Sequence, residues 1–171
     1  MEDMGIWEYP VAMAEIEPPE IVCSGEYLYQ RTKKGCELLR CDQAGATLTL
    51  PEEIDGLRLT VVGAGALRGM TGLRQIVLPK GLRRIGDYAF YQDEQLAEVC
   101  IPMGTRRIGR YAFAGCTGLQ QAYVPPTVTE IGEGAFPADG ELVLRGAMDS
   151  AVHRWAEEHG IFFIAAREPA A

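Results

Sequence analysis

Histidine is scarce in this chain: His153 and His159 are the only two among 171 residues. They stand six positions apart in a stretch of helical spacing, so they fall on different faces and read as surface residues rather than as a shared metal site. No H-E-x-x-H, G-x-S-x-G or glycine-rich phosphate loop occurs, which removes the usual signatures of zinc hydrolysis, serine catalysis and nucleotide binding. Adjacent acids such as Asp93-Glu94 and Glu157-Glu158 read as solvated charge rather than as an acid/base pair. No apolar run approaches the roughly 18 residues of a membrane-spanning helix. Lysine and arginine are absent from residues 1–25, which carry six acids: Glu2, Asp3, Glu8, Glu15, Glu17 and Glu20. That segment has neither the basic start nor the continuous apolar run of a secretory signal. Of the net charge of −8 only −2 remains for the rest of the chain, so charge gives no support for nucleic-acid binding. No catalytic, cofactor-binding or metal-binding residue is nominated, and the chain is expected not to be an enzyme.

Glycine, by contrast, is plentiful and regularly placed. Val62–Gly63–Ala64–Gly65–Ala66–Leu67 is followed by Ile85–Gly86–Asp87–Tyr88–Ala89–Phe90, Ile108–Gly109–Arg110–Tyr111–Ala112–Phe113 and Ile131–Gly132–Glu133–Gly134–Ala135–Phe136, each step being 23 residues. Leu73, Leu96, Leu119 and Leu142 share a second slot. Ile76, Val99 and Ala122 share a third, and Leu78, Ile101 and Val124 a fourth that is followed by Pro79, Pro102 and Pro125. The unit reads L-x-x-φ-x-φ-P-x-x-φ-x-x-I-G-x-x-A-F, where φ is apolar. A repeat of 20–29 residues with an L-x-x-L-x-L core is one coil of a leucine-rich repeat solenoid. One such coil has too few apolar side chains to offset the ordering of its own backbone, so it is stable only when stacked on neighbours.

Within a coil, the alternating segment before the proline suits a short strand, which the proline then ends. The glycine after Ile85, Ile108 and Ile131 marks a corner where either positive φ or close approach between coils excludes a β-carbon. The alanines are small for the same packing reason, and the phenylalanines are expected to stack inward as a ladder.

Ile101-Pro102, Ile108-Gly109, Tyr111-Ala112-Phe113, Cys116 and Leu119 together resemble the BspA-type leucine-rich repeat family, also called the Treponema pallidum class. The resemblance covers roughly residues 45–164. It implies a leucine-rich repeat solenoid, nominally α/β but mostly short strands and turns. It also implies a bacterial, often surface-exposed or secreted protein that mediates adhesion or protein binding rather than catalysis. The motif residues are core residues, so the binding face has to be argued separately.

The organisation expected is an acidic, proline-containing leader at 1–25, an N-terminal hairpin cap at 26–44, four repeats at 45–145, a C-terminal helix–strand cap at 146–164 and a tail at 165–171. In the leader, Ile6, Trp7, Tyr9 and Val11 are either loosely packed or an added strand or docking peptide. Glu26–Thr32 and Glu37–Cys41 flank the turn Lys33-Lys34-Gly35. Thr47–Pro51 matches the strand slot of the first repeat, which carries a five-residue insertion around Glu52–Gly56 expected to bulge outward as a loop. Ser150 is a good N-cap for a helix over Ala151–His159, Gly160 sits where a C′ glycine belongs, and Ile161–Ile164 reads as a last strand.

Of the five cysteines, Cys116 fills the family's usual cysteine slot, occupied by Met70, Asp93 and Asp139 in the other coils, and is expected to be packed and inert. Cys36 and Cys41 would lie about 16 Å apart along an extended strand, too far for a disulfide. No second pair at metal-ligand spacing accompanies them. An odd cysteine count and the missing signal point to reduced thiols and a cytoplasmic setting, whereas the family resemblance points to the surface.

The strand residues that alternate with the core form the candidate protein-binding face: Thr47 and Thr49, Gln75 and Val77, Glu98 and Cys100, Gln121 and Tyr123. Stacking lines them into two stripes, with Tyr123 as the aromatic anchor. A secondary basic edge comes from Arg83 and Arg84, which precede Arg106 and Arg107 by 23 residues. Those like charges are tolerable on adjacent coils only if solvated or paired with acids. The function expected is a monomeric, non-catalytic protein-binding module; the alternatives are a structural or self-assembling solenoid and, more distantly, an enzyme with a loop-built site.

Overall fold

The computed structural model describes residues 18–43, 45–138, 140–167 and 169. The expectations for Ile6, Trp7, Tyr9, Val11 and Asp139 lie outside the described residues. The chain opens with three strands, β1 (Ile21–Ser24), β2 (Tyr27–Thr32) and β3 (Gly35–Cys41), which pair antiparallel in that order. The coils then supply β4 (Thr47–Thr49), β5 (Glu53–Ile54), β6 (Leu57–Val62), β7 (Gln75–Val77), β8 (Arg84–Ile85), β9 (Glu98–Cys100), β10 (Arg107–Ile108), β11 (Gln121–Tyr123) and β12 (Glu130–Ile131). β13 (Val143–Gly146), the helix α1 (Ala151–His159) and β14 (Phe162–Ala165) complete it.

Two parallel stacks result. One sheet runs β14-β13-β11-β9-β7-β4, so the C-terminal strands continue the same parallel ladder and the solenoid has six rungs on this side. The other runs β3-β6-β8-β10-β12 in parallel, with β2 and β1 added antiparallel beyond β3. The third side is made of turns, yet it is also hydrogen-bonded from coil to coil. Gly65, Leu67 and Gly69 donate to the carbonyls of Asp87, Ala89 and Tyr91, and Tyr88, Phe90 and Gln92 donate to those of Arg110, Ala112 and Ala114. Backbone polar groups that would be orphaned in a lone coil are thereby paired with the next one.

The core follows the repeat. Phe90, Phe113 and Phe136 stack as a ladder at ring-centroid separations of 4.9 and 5.3 Å and interplanar angles of 5° and 1°. Trp155 of α1 meets Phe136 edge-on at 5.5 Å and closes the ladder. At the corners, close approach rather than positive φ excludes a side chain. A β-carbon on Gly86, Gly109 or Gly132 would lie 2.6, 2.5 or 2.5 Å from a backbone nitrogen of the preceding coil. Tyr88 and Tyr111 occupy the left-handed region (φ 57° and 53°) that Gly65 and Gly134 fill in the outer coils. The Tyr111 ring lies close over Gly134, where a β-carbon would sit 2.4 Å from it, so a side chain there would require the ring to shift.

Both ends are sealed. β3 docks parallel on β6, burying Cys36 and Leu38. The N-terminal cap starts earlier than the sequence suggested, because β1 lies inside the segment assigned to the leader. Its entry is tied down where Arg31 N–H donates to the Glu20 carbonyl at 3.4 Å. At the other end Ser150 Oγ accepts from His153 N–H, Gly160 adopts φ 66°, and Val152, Trp155 and Ala156 form the buried face of α1, as their spacing requires.

Two expectations are corrected. Glu52–Gly56 does not bulge outward as a loop. β5 folds back antiparallel on β6 and buries Ile54, because Asp55 and Gly56 (φ 50° and 78°) make a tight two-residue turn. Asp55 also accepts from Ser24 Oγ and Tyr29 Oη at 2.9 and 2.8 Å, tying the insertion to the N-terminal cap. Asp93, read as solvated charge, is wholly buried instead. It occupies the cysteine slot of its coil, its Oδ1 accepts from Met70 N–H at 2.7 Å, and its Oδ2 has no partner among the described residues. Burial pushes its carboxyl up to about 7. Cys116, one coil on, donates to the Phe90 carbonyl at 3.0 Å, and burial pushes its thiol up to about 12, which makes it unreactive.

Candidate functional site

Each strand of the six-stranded sheet points its central residue inward and its flanking residues outward, because side chains alternate along a strand. Leu48, Ile76, Val99 and Ala122 are accordingly buried, while Thr47, Thr49, Gln75, Val77, Glu98, Cys100 and Gln121 are exposed. Register makes the stripes. Thr47 lies opposite Gln75, Gln75 opposite Glu98, and Glu98 opposite Gln121. Thr49 lies opposite Val77, and Cys100 opposite Tyr123.

Tyr123 departs from expectation. It is 6% exposed and so is not a projecting anchor. It lies between Cys100 and Arg145 in the sheet and lines a concavity of about 440 Å3 together with Ala166, Arg167 and Pro169. These residues lie in the expected tail, yet Ala166 N–H donates to the Gly146 carbonyl at 2.8 Å, holding the segment beside the sheet.

Sequence reasoning stopped the stripes at Tyr123, but the ladder carries them on to β13 and β14. Gln121 continues to Val143 and Phe162, and Tyr123 to Arg145 and Ile164. Arg145 Nη1 donates to Gln121 Oε1 at 3.1 Å. Phe162, Val77 and Ile164 are 67%, 53% and 41% exposed, so the apolar groups of the face are Val77 near one end and Phe162 and Ile164 at the other. The signal available was the alternation in Phe162-Phe163-Ile164, with Phe163 the inward member.

The basic edge forms as the 23-residue spacing requires. Arg84 pairs directly with Arg107 across β8 and β10. The repulsion is relieved by acids: Glu37 lies 3.7 Å from Arg84, and Glu130 lies 3.5 Å from Arg107. Arg83 instead donates to the Gly104 carbonyl at 3.4 Å.

The histidines are not brought together. His153 stacks on Phe163 at 4.5 Å and accepts from Asp149 N–H, while His159 stacks on Trp155 at 3.8 Å. Among the described residues no group of three His, Cys, Asp or Glu side chains is placed to hold a metal ion. Among the same residues no helix is long and apolar enough to cross a membrane.

Residues 47–142 match the profile of the BspA type leucine rich repeat region, in six copies. The chain belongs to the BspA-type leucine-rich repeat family. It is 30% identical to the T. pallidum leucine rich repeat protein, with a TM-score of 0.58 over 74% of this chain and 71% of that one. A leucine-rich repeat protein from Bacteroides capillosus is 22% identical, with a TM-score of 0.59 over 65% of this chain and 86% of that one. One from Bacteroides ovatus is 19% identical, with a TM-score of 0.60 over 86% of this chain and 41% of that one. The last two likenesses are of fold alone. No curated protein matches the chain significantly. Solenoids of this family are typically non-catalytic.

Proposed function

We propose that this BspA-type repeat protein is a non-catalytic protein-binding module whose contact surface is the exposed face of its six-stranded parallel sheet. The observation that carries this reading is the continuity of the two stripes through the C-terminal cap. They join polar residues (Gln75, Glu98, Gln121) to exposed apolar ones (Val77, Phe162, Ile164) beside a concavity of about 440 Å3. A surface of apolar anchors with a polar surround suits a protein partner.

The test compares capture of partners from the source organism's surface and cytosolic fractions by three forms of the full chain. These are the wild type, a face variant (Val77→Glu with Glu98→Arg), and an edge variant (Arg84→Glu with Arg107→Glu). A specific partner retained by the wild type and the edge variant but lost by the face variant supports the reading. A partner retained by the face variant and lost by the edge variant moves the contact to the basic edge.

Self-assembly is the second reading, favoured by one feature: β14 ends its sheet and carries Phe162 and Ile164 exposed. Light scattering after size exclusion separates the two. A monomer across concentrations supports the binding module, and a concentration-dependent oligomer abolished by Phe162→Lys supports assembly.

A further inference from the structure

On the other sheet, away from the proposed partner face, a groove of about 590 Å3 runs from the β2–β3 turn across the rungs. Lys33, Lys34, Arg83, Arg84 and Arg106 line it, with Glu37 the one acid among the described residues that line it. Glu37 lies near Arg84, but Lys33, Lys34 and Arg106 have no ion-pair partner among the described residues. Five cations gathered by the stacking of coils onto a lysine turn make a field that favours an extended acidic chain.

Such a chain is present in the sequence. Residues 2–17 hold Glu2, Asp3, Glu8, Glu15 and Glu17 and no lysine or arginine. Where that segment joins the fold is also set. Ile21 pairs with Gln30, Arg31 N–H donates to the Glu20 carbonyl, and the Arg31 and Glu20 side chains lie 3.2 Å apart. The next residues of β2 lead directly to Thr32, Lys33 and Lys34, which line the groove, so Glu20, to which the segment is joined through residues 18–19, lies near its rim. Crossing from β1 to β8 takes four strand spacings, about 19 Å, and fifteen extended residues reach about 50 Å. We propose that the acidic residues of segment 2–17 dock in cis into the basic groove formed by Lys33, Lys34, Arg83, Arg84 and Arg106.

Lys33, Lys34 and Lys80 are the only lysines in the chain, which makes zero-length carbodiimide cross-linking of the full chain, read by mass spectrometry, a sharp test. The expected result is an intramolecular amide between a carboxylate of residues 2–17 and Lys33 or Lys34, with little to Lys80. Its yield should fall by about fivefold or more in about 0.5 M salt, since screening weakens exposed charge attraction. It should fall likewise in Arg83→Gln/Arg84→Gln/Arg106→Gln, which keeps both lysines, and in the stronger glutamate triple variant if that variant keeps the wild-type circular dichroism. An unchanged yield in the glutamine variant would show tethering alone and overturn the proposal. So would equal yields at Lys80, or cross-links found only between two copies or between the groove and an added acidic peptide.

Discussion

Phe113 is held between Phe90 and Phe136 with both ring faces in contact and no solvent exposure. Replacing it with alanine empties the middle of a ladder that neighbouring coils cannot collapse to fill. Phe113→Ala should therefore cost about 3–5 kcal/mol, read as a lower urea midpoint. Asp93 behaves in the opposite sense. Its carboxyl is raised from 3.8 to about 7 by burial, so the folded state holds its proton more tightly than the unfolded chain does. The stability it contributes is full below pH 4 and is lost as pH rises toward 7, by up to about 4 kcal/mol at roughly 1.4 kcal/mol per unit. Asp93→Asn keeps an oxygen for Met70 N–H and removes the charge. The variant should match the wild type near pH 4 and exceed it by a few kcal/mol at pH 8. Urea unfolding at the two pH values checks this, and a stability difference that does not change with pH would count against it.

At the scale of the element, α1 is both capped and anchored, and the two contributions separate by mutation. Ser150→Ala removes one side-chain bond to a helix N-terminus and should cost about 1 kcal/mol. Trp155→Ala removes the edge-on contact that closes the phenylalanine ladder and should cost about 3–5 kcal/mol. Thermal unfolding of the two variants should show that order; equal losses would mean that the helix is held by its cap rather than by its packing. The β5 hairpin makes a related point. Five extra residues were legible as an insertion, but their course was set by Ile54 reaching the core and by Asp55 meeting Ser24 and Tyr29, partners about 30 residues away in sequence.

Across the whole molecule, each coil touches chiefly its neighbours, so stability propagates along one axis. Amide exchange should be slowest in the central rungs β9 and β11, and faster at β14, which among the described residues has a partner strand on one side only. Trp155→Ala should accelerate exchange in β13 and β14 before β7 is affected; a uniform acceleration would indicate a single cooperative unit.

By itself the sequence determined the repeat, the inward slots, the phenylalanine ladder, the arginine stack and the helix with its caps. All of these follow from a constant period of 23, because a constant period places like residues at like angles around the coil. Only the tertiary structure decided what covers what. Tyr123 occupies an outward slot by alternation, yet is buried in a concavity it shares with Arg145, Ala166, Arg167 and Pro169. Phe162 and Ile164 read as the last strand of a cap, yet extend the proposed partner face because β14 pairs parallel in register with β13. Asp93 is charged in sequence and buried in space because its slot, like that of Cys116, points inward. Period sets the direction of a side chain, whereas its exposure depends on segments from elsewhere in the chain, and no local pattern encodes where those will lie.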